Sequence, residues 1–279
     1  NKWINHPISA QEKVFKTLIK EGLRTKYGKD HDFASIRNYN DFKLRVPISD
    51  YEKIKPYINQ VLKGKKNILW PGKPIYLAKT SGTTSGIKYI PITKESMPNH
   101  IISARNAILN YIDKTGSVDF IEGKQIFIQG SPILENLNGI YLGRLSGIVA
   151  HHVPSYLLKS RMPTWKTNCI EDWETKVDSI VLETLNEKMT VIGGIPSWVQ
   201  MYFEKIISKT GKKINKVFPE FSLFIHGGVN FEPYQKMFDN LIGKKINSIE
   251  LYPSSEGFIA YQDRLNEGGL LLLLSLIHI

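Results

Sequence analysis

The sequence has one cysteine, Cys169, among its 279 residues, and its longest unbroken apolar run is residues 270–274. A single thiol excludes an intrachain disulfide, and no group of cysteines and histidines has the spacing of a zinc site. The apolar run is far shorter than the roughly 18 residues that a membrane-spanning helix needs, and residues 1–7 lack the apolar centre of a secretory signal. We therefore expect a protein of a reducing compartment, the cytoplasm, without a membrane partner.

The charge is strongly positive, yet it does not favour a nucleic-acid partner. Lysine and arginine total 37 against 26 acidic residues, which gives a formal net charge of +11. The densest basic segments, residues 63–66 and 209–216, contain no aromatic side chains that could stack on bases. We therefore expect no nucleic acid, and we interpret most of the charge as solvated surface.

The composition, with 42% hydrophobic and 23% charged residues, is typical of a globular protein. A capping box of Ser9 and Glu12 predicts a helix that ends near Gly28, and Asp50 is expected to cap a second helix. Later segments alternate between strand and helix patterns. The predicted strands are 75–79, 89–93, 125–129, 147–150, 190–192, 222–226 and 248–252, and the later helices are 173–185, 196–207 and 233–241. This alternation predicts one α/β domain with a substantially parallel sheet.

The segment that carries most information is residues 80–88, TSGTTSGIK, with two glycines and five hydroxyl residues between two predicted strands. Such a loop can turn several backbone N–H groups towards an anion, and Lys88 adds a positive charge. The spacing of Gly82 and Gly86 fits neither a Walker A loop nor a dinucleotide-binding loop. A phosphate site and an ordinary hairpin loop are both compatible with the residues alone.

Two later strands also end in small polar turns. In residues 224–229, FIHGGV, paired glycines would let the backbone lie against a planar ligand, while His226 is either a general base or a structural residue. In residues 251–257, LYPSSEG, Tyr252 could stack on a base, and Glu256 is a carboxylate suited to Mg²⁺. Because open α/β sheets bind ligands at the carboxyl ends of their strands, we expect these turns to converge on one crevice.

Taken in this order, the segments resemble the adenylate-forming superfamily and, within it, the bacterial branch of the Gretchen Hagen auxin-responsive family of acyl-acid amido synthetases. The residues that carry the resemblance are 79–86 with 88–91, 194–198, 224–229 with 231–233, and 252–258, together with 46–52, 69–72 and 143–146. The resemblance thus extends over nearly the whole chain.

The resemblance implies an ATP-dependent ligase that uses Mg²⁺. A carboxylic acid would be activated to an acyl-adenylate and then transferred to an amine, which we expect to be an amino acid. An acyl-CoA synthetase-like ligase and a non-catalytic nucleotide-binding module are the alternatives. The oligomeric state is not indicated by the sequence.

The resemblance also implies roles for individual residues. Thr83 and Glu256 would be catalytic, Glu256 would hold the metal, and the acyl pocket would lie near the helix after Gly194. The residues implied to bind ATP are Ser81, Gly82, Thr83, Thr84, Ser85, Gly86, Lys88, Gly227, Gly228, Val229, Tyr252, Ser254, Ser255 and Glu256.

The implied fold is the large N-terminal domain of an adenylate-forming enzyme, with mixed, largely parallel sheets flanked by helices. Residues 1–274 would form part of this domain, and residues 275–279 depart from the family pattern. Family members continue into an aspartate that binds ribose and a small C-terminal domain with a catalytic lysine. Since neither is found here, we expect the isolated chain to bind nucleotide without turnover.

Overall fold

A computed structural model describes residues 5–81, 86–265 and 267–273. The first part of the chain forms four helices, α1 Pro7–Gly22, α2 Lys26–Asp30, α3 Tyr39–Arg45 and α4 Tyr51–Leu62. Their shared core contains Phe15, Ile19, Tyr27, Phe33 and Ile36. The Asp50 side chain accepts a hydrogen bond from the Lys53 amide at 3.0 Å, which confirms the predicted cap of α4.

The predicted capping box of α1 is wrong. The helix begins at Pro7, and its N-cap, His6, makes no side-chain hydrogen bond to the first turn. Proline is well suited to the first helical turn because its fixed φ is already helical and its missing N–H would have no partner there. The helix also ends at Gly22, and Gly28 belongs to the separate helix α2.

The strands form two sheets. The strands are β1 Tyr76–Ser81, β2 Ile87–Ile92, β3 Lys124–Ile128, β4 Glu135–Leu137, β5 Ile140–Gly143, β6 Arg161–Met162, β7 Met189–Gly194, β8 Leu223–Gly227, β9 Asn247–Pro253, β10 Phe258–Tyr261 and β11 Leu271–Leu272. The smaller sheet has the order β2-β1-β5-β4, in which only β1 and β5 are parallel. The larger sheet has the order β11-β10-β9-β8-β7-β3-β6 and is parallel from β6 to β9.

Helices cover both faces of the larger sheet. The remaining helices are α5 Met97–Thr115, α6 Leu145–Ala150, α7 Trp165–Asn168, α8 Trp173–Thr184, α9 Pro196–Thr210, α10 Ile214–Val217 and α11 Gln235–Ile242, with short 3₁₀ turns at Phe33–Ser35, Asp119–Glu122, Ser155–Leu157 and Glu232–Tyr234. Tyr111 of α5 packs with Leu223, Ile225 and Ile249 on one face. On the other face, α8, α9 and α11 bury a larger cluster around Phe224. This arrangement explains the continuous apolar run of β8, which is buried on both sides.

The side chains of α8 hold the short helix α7 at both ends. The Glu183 carboxylate accepts hydrogen bonds from the Thr164 amide at 2.8 Å and from the Thr167 hydroxyl. The Lys176 ammonium donates to the carbonyl of Asn168, the last residue of α7, at 2.6 Å. An anion at the amino end and a cation at the carboxyl end both match the dipole of the helix.

The strand predicted at residues 147–150 is wrong, because this segment lies in α6. A short buried apolar run has no periodicity that separates a strand from a helix. Gly147 permits the helix to approach closely, since a Cβ on it would lie 2.7 Å from the Ser131 carbonyl oxygen. Strands β4, β5, β6 and β10 were not predicted; each has four residues or fewer and lies at the edge of a sheet or next to it.

In the part of the chain that the structure describes, no helix has both the length and the apolar character needed to cross a bilayer. The helix predicted at residues 196–207 is observed as α9, and it contributes Tyr202 and Phe203, both fully buried, to the core. Phe203 contacts the rings of Phe221 and Phe238, with centroids 6.0 and 5.6 Å apart.

Replacing Phe203 by alanine is expected to lower the free energy of unfolding by about 3–5 kcal/mol, because the ring leaves a cavity between α9 and the larger sheet. Urea denaturation measures this loss. Leu182→Ala on α8 is the control, since Leu182 is 62% exposed and its truncation should change stability little. Equal losses in the two variants would contradict the packing described here.

Candidate functional site

The carboxyl ends of four parallel strands lie side by side at one edge of the larger sheet. Ile128 of β3 pairs with Gly194 of β7, Gly194 pairs with His226 of β8, and His226 pairs with Glu250 of β9. Adjacent strands are about 4.8 Å apart, so this row brings distant parts of the sequence together. The two later turns therefore lie at one edge of the sheet, as predicted, whereas the crevice expected there stays a prediction.

The glycines after His226 are required by the local geometry. A Cβ on Gly227 would overlap the carbonyl oxygen of Leu251 on the neighbouring strand. Gly228 has a φ of +87°, a conformation that side chains rarely adopt, and Ile195 of the β7 connection lies 3.5 Å from the position of its missing Cβ. The backbone at 227–228 thus forms a side-chain-free surface between the ends of β7 and β9, with Val229 beside it, 41% exposed.

Tyr252 follows on the next strand and remains available for a ligand. Gly227 pairs with Leu251, so Tyr252 stands about level with Gly228. Its side chain is 51% exposed although it lies at the end of a sheet strand. An exposed ring beside a bare backbone is an arrangement suited to stacking on a planar heterocycle.

The segment after Tyr252 forms a closed polar turn. The Ser254 amide donates to the Gly257 carbonyl at 2.9 Å, and the Gly257 amide donates back to Ser254 at 3.2 Å. The Ser254 hydroxyl donates to a carboxylate oxygen of Glu256 at 2.5 Å and accepts from the Glu256 amide at 3.1 Å. This turn fixes the Ser254 and Glu256 side chains relative to each other, with Ser255 half-buried between them.

Glu256 fits a magnesium ion that is held mainly by substrate. The described residues contain no group of three or more histidine, cysteine or acidic side chains that could hold a metal by themselves. Mg²⁺ commonly binds through one or two carboxylates and completes its shell with phosphate oxygens and water. Glu256 is exposed, and only one of its oxygens accepts the Ser254 hydroxyl, so the other can serve as a ligand.

His226 is a buried, neutral side chain. It is 4% exposed, and its ring lies 4.3 Å from that of Phe231 and 5.0 Å from that of Phe224 between centroids. Burial lowers the pKa of His226 to about 4. Of the two sequence interpretations, the structure favours the structural one, because a base that is neutral but enclosed among aromatic rings cannot reach a substrate.

The predicted phosphate loop is described only at its ends. Residues 82–85, and with them Gly82, Thr83, Thr84 and Ser85, lie outside the described residues. The backbone of Ser81 ends β1, and Gly86 has a φ of +75° before β2 begins. The Lys88 ammonium lies 5.5 Å from the centre of the Tyr51 ring, so the described position of Lys88 is a cation–π contact with α4.

A further polar residue, Gln129, lies at the same edge but was not singled out from the sequence. It follows β3 and is buried. With its amide oriented to match its neighbours, it donates to the Ser146 carbonyl at 3.2 Å and accepts from Asn168 and Arg161 at 3.0 Å each. Ser146 belongs to α6, which follows β5 of the smaller sheet. The contact between Gln129 and Ser146 therefore joins the carboxyl end of β3 in the larger sheet to the carboxyl end of β5 in the smaller sheet. The only signal of Gln129 in the sequence is that a polar residue directly follows a buried strand.

The fold matches solved structures of adenylate-forming enzymes. A GH3.15 acyl acid amido synthetase superposes with a TM-score of 0.68 at 14% identity, covering 91% of this chain and 54% of that chain. A 2-hydroxyisobutyryl-CoA ligase superposes with a TM-score of 0.50 at 12% identity, covering 88% and 53%. The architecture is therefore that of the N-terminal domain of adenylate-forming enzymes, and the chain spans about half the length of these proteins.

Sequence comparison narrows the class further. The model of the GH3 family N-terminal domain matches residues 1–128 and 117–246. Indole-3-acetic acid-amido synthetase GH3.2 of Arabidopsis thaliana is 31% identical over 94 residues, which are 33% of this chain and 17% of that protein. The probable indole-3-acetic acid-amido synthetase GH3.13 of Oryza sativa subsp. japonica is 32% identical over 129 residues, covering 43% and 24%. The chain belongs to the GH3 family.

The buried His226 predicts a specific loss of stability in acid. The unfolded chain binds a proton near pH 6.5, whereas the folded chain binds it only near pH 4, so the free energy of unfolding falls as the pH falls through this window. The full difference is on the order of 3 kcal/mol. His226→Gln should remove this part of the pH dependence.

Urea denaturation of both proteins at several pH values between neutrality and about pH 4 measures the effect. His6→Gln is the matched control, because it makes the same substitution at an exposed histidine. Parallel pH profiles for wild type and His226→Gln would show that His226 is accessible to protons in the folded state.

Proposed function

We propose that the chain is the nucleotide-binding and acid-activating part of an acyl-acid amido synthetase. The observation that carries the proposal is the single edge at which the bare backbone of 227–228, the exposed ring of Tyr252 and the Ser254–Glu256 turn lie together. The names of the relatives, amido synthetases of indole-3-acetic acid and of acyl acids, support the same class of reaction.

The proposed reaction has two steps. A carboxylate oxygen of the acid forms a bond to the α-phosphorus of ATP while the bond to pyrophosphate breaks. An amine, which we take to be that of an amino acid, then forms a bond to the carbonyl carbon, loses its proton, and AMP leaves with the bonding electrons. Both steps depend on holding the reactants in line and on neutralising charge at phosphorus.

Each residue at the edge has a role in this proposal. The backbone of Gly227, Gly228 and Val229 lies along the adenine, and Tyr252 stacks on it. The hydroxyls of Ser254 and Ser255 border the α-phosphate. Mg²⁺, when bound, offsets charge on the phosphates, and Glu256 holds it to the protein.

The loop between β1 and β2 completes the proposed site. Its backbone amides and hydroxyls would hold the phosphates, with Thr83 closest to the reacting centre, and the acid would lie towards the connection after Gly194. Lys88 is proposed to approach the phosphates only if it leaves the Tyr51 ring, since in the described conformation it packs there.

The first test is nucleotide binding by the 279-residue chain, measured by calorimetry with and without Mg²⁺. ATP is expected to bind more tightly when Mg²⁺ is present. Glu256→Gln should abolish this difference, because the carboxylate that links metal and protein is lost. Tyr252→Ala should weaken binding about tenfold in both conditions, since stacking on a base contributes about 1–3 kcal/mol.

Glu220→Gln is the matched control for the metal effect. Glu220 is exposed and precedes the amino end of β8, so it lies at the opposite edge of the same sheet. It should bind ATP like wild type in both conditions. An unchanged Mg²⁺ effect in Glu256→Gln, together with unchanged affinity in Tyr252→Ala, would exclude this edge as the nucleotide site.

The second test concerns the chemistry. Exchange of labelled pyrophosphate into ATP, measured on the full-length gene product with a panel of aromatic and aliphatic acids, reports the first step because that step is reversible. Release of AMP that depends on an amino acid supports the amido synthetase, whereas release that depends on coenzyme A supports an acyl-CoA ligase instead. Binding without exchange for any acid would favour a nucleotide-binding module.

A further inference from the structure

The junction between the two sheets holds two cations, Arg161 and Lys176, and a third, Arg144, lies at its surface. Gln129, after β3, accepts a hydrogen bond from the Arg161 guanidinium, which also donates to the Ala150 carbonyl at 3.1 Å. The Lys176 ammonium, 1% exposed, donates to the carbonyl of Asn168, whose side chain bonds to the same Gln129. Within the described ranges, no carboxylate bonds to Arg161 or Lys176.

Burial of these cations is electrostatically unfavourable. It lowers the pKa of Arg161, and it lowers the pKa of Lys176 to about 8. Buried charges are ordinarily paired with an opposite charge, because carbonyl groups alone replace only part of the lost hydration. The junction therefore has a positive potential that a bound anion would offset.

Arg144 lies on the solvent side of this junction. It follows β5 directly, and its Cδ is 3.2 Å from the point where a Cβ on Gly130 would lie, so its aliphatic stem crosses the bare backbone after β3. The side chain is exposed, and among the described residues no acidic group forms an ion pair with it. Its five N–H donors are therefore available for a ligand.

The position of Arg144 relates it to the phosphate loop as well. Strand β5 is parallel to β1, and Ala78 pairs with Gly143, the residue before Arg144. Strand β1 continues for three residues to Ser81, where the loop of glycines and hydroxyl residues begins. Arg144 thus lies between the carboxyl end of β1 in the smaller sheet and the carboxyl end of β3 in the larger sheet. The proposed substrates would meet at these two strand ends.

We propose that Arg144 binds an oxyanion of a substrate, either the polyphosphate of ATP or the carboxylate of the acid, and that Arg161 and Lys176 strengthen this site from beneath. These two oxyanions are the candidates because they belong to the substrates of the proposed reaction, so this choice rests on the proposed function. Guanidinium binds phosphate and carboxylate through paired N–H donors, which suits either group. Arg161 and Lys176 are already bonded to carbonyls and amides, so they act on the anion through their charge.

Calorimetry on the 279-residue chain with inorganic tripolyphosphate, and separately with phenylacetate, tests the site without any turnover. Arg144→Gln should weaken one of the two anions about tenfold or more, and the anion affected identifies the source. Gly130→Ala should weaken the same anion less than Arg144→Gln does and without a change of charge, because a methyl group there would lie 3.2 Å from the Arg144 Cδ and shift its flexible stem slightly. Thermal unfolding of each variant checks that the fold is kept.

Arg24→Gln is the matched control. Arg24 is exposed, lies between α1 and α2, and its replacement makes the same change in net charge. Equal affinities of Arg144→Gln and Arg24→Gln for both anions would overturn the proposal and identify Arg144 as an ordinary surface charge. If Arg144→Gln loses anion affinity while no acid supports pyrophosphate exchange, this site stands and the proposed function fails. If exchange occurs and Arg144→Gln binds both anions normally, the proposed function stands and the Arg144 site fails.

Discussion

The parallel pairing of β3, β7, β8 and β9 is the constraint on which the rest of the molecule depends. Strand β8 is buried on both faces, by α5 on one side and by α8, α9 and α11 on the other, so its register cannot slip without exposing Leu223 or Phe224. Once this register is fixed, Gly194, His226 and Glu250 must lie in one row, and the turns that follow must lie at one edge. The candidate site is thus a direct result of core packing.

Much of this arrangement could be predicted from the sequence, for reasons that differ between elements. Strands such as β7 and β8 are mostly apolar and end in glycines, and the helix from Pro196 begins with a proline and has an apolar face. Short strands such as β4 and β6 have too few residues to show a period, and they form because a neighbouring strand offers hydrogen bonds. The segment at 147–150 became a helix because tertiary contacts at Gly147 outweigh a strand-like composition.

The residues of the candidate site also fall into those that could be predicted from the sequence and those that could not. Gly227, Gly228 and the 252–256 turn could be predicted because paired glycines and small polar residues directly after a buried strand form a pattern within a few neighbouring residues. Gln129, Arg144 and Arg161 could not, because their relation exists only after β3 and β5 of different sheets come together. No local pattern in the sequence records that contact. The four residues 82–85, on which the phosphate-loop hypothesis depends most, stay a prediction.

The strand order has a consequence for how the protein forms. Strand β3 has β6 on one side and β7 on the other, and β7 is followed by β8 and β9, so each new parallel strand must return across a helical connection before it can pair. The hairpin of β1 and β2 can close locally, whereas the row from Ile128 to Glu250 requires the chain as far as β9. During synthesis, the first sheet's hairpin can therefore fold long before the edge that would bind nucleotide exists. Until β8 is made, the outer edge of β7 presents unpaired backbone groups, which makes this interval the one most open to mispairing and chaperone binding.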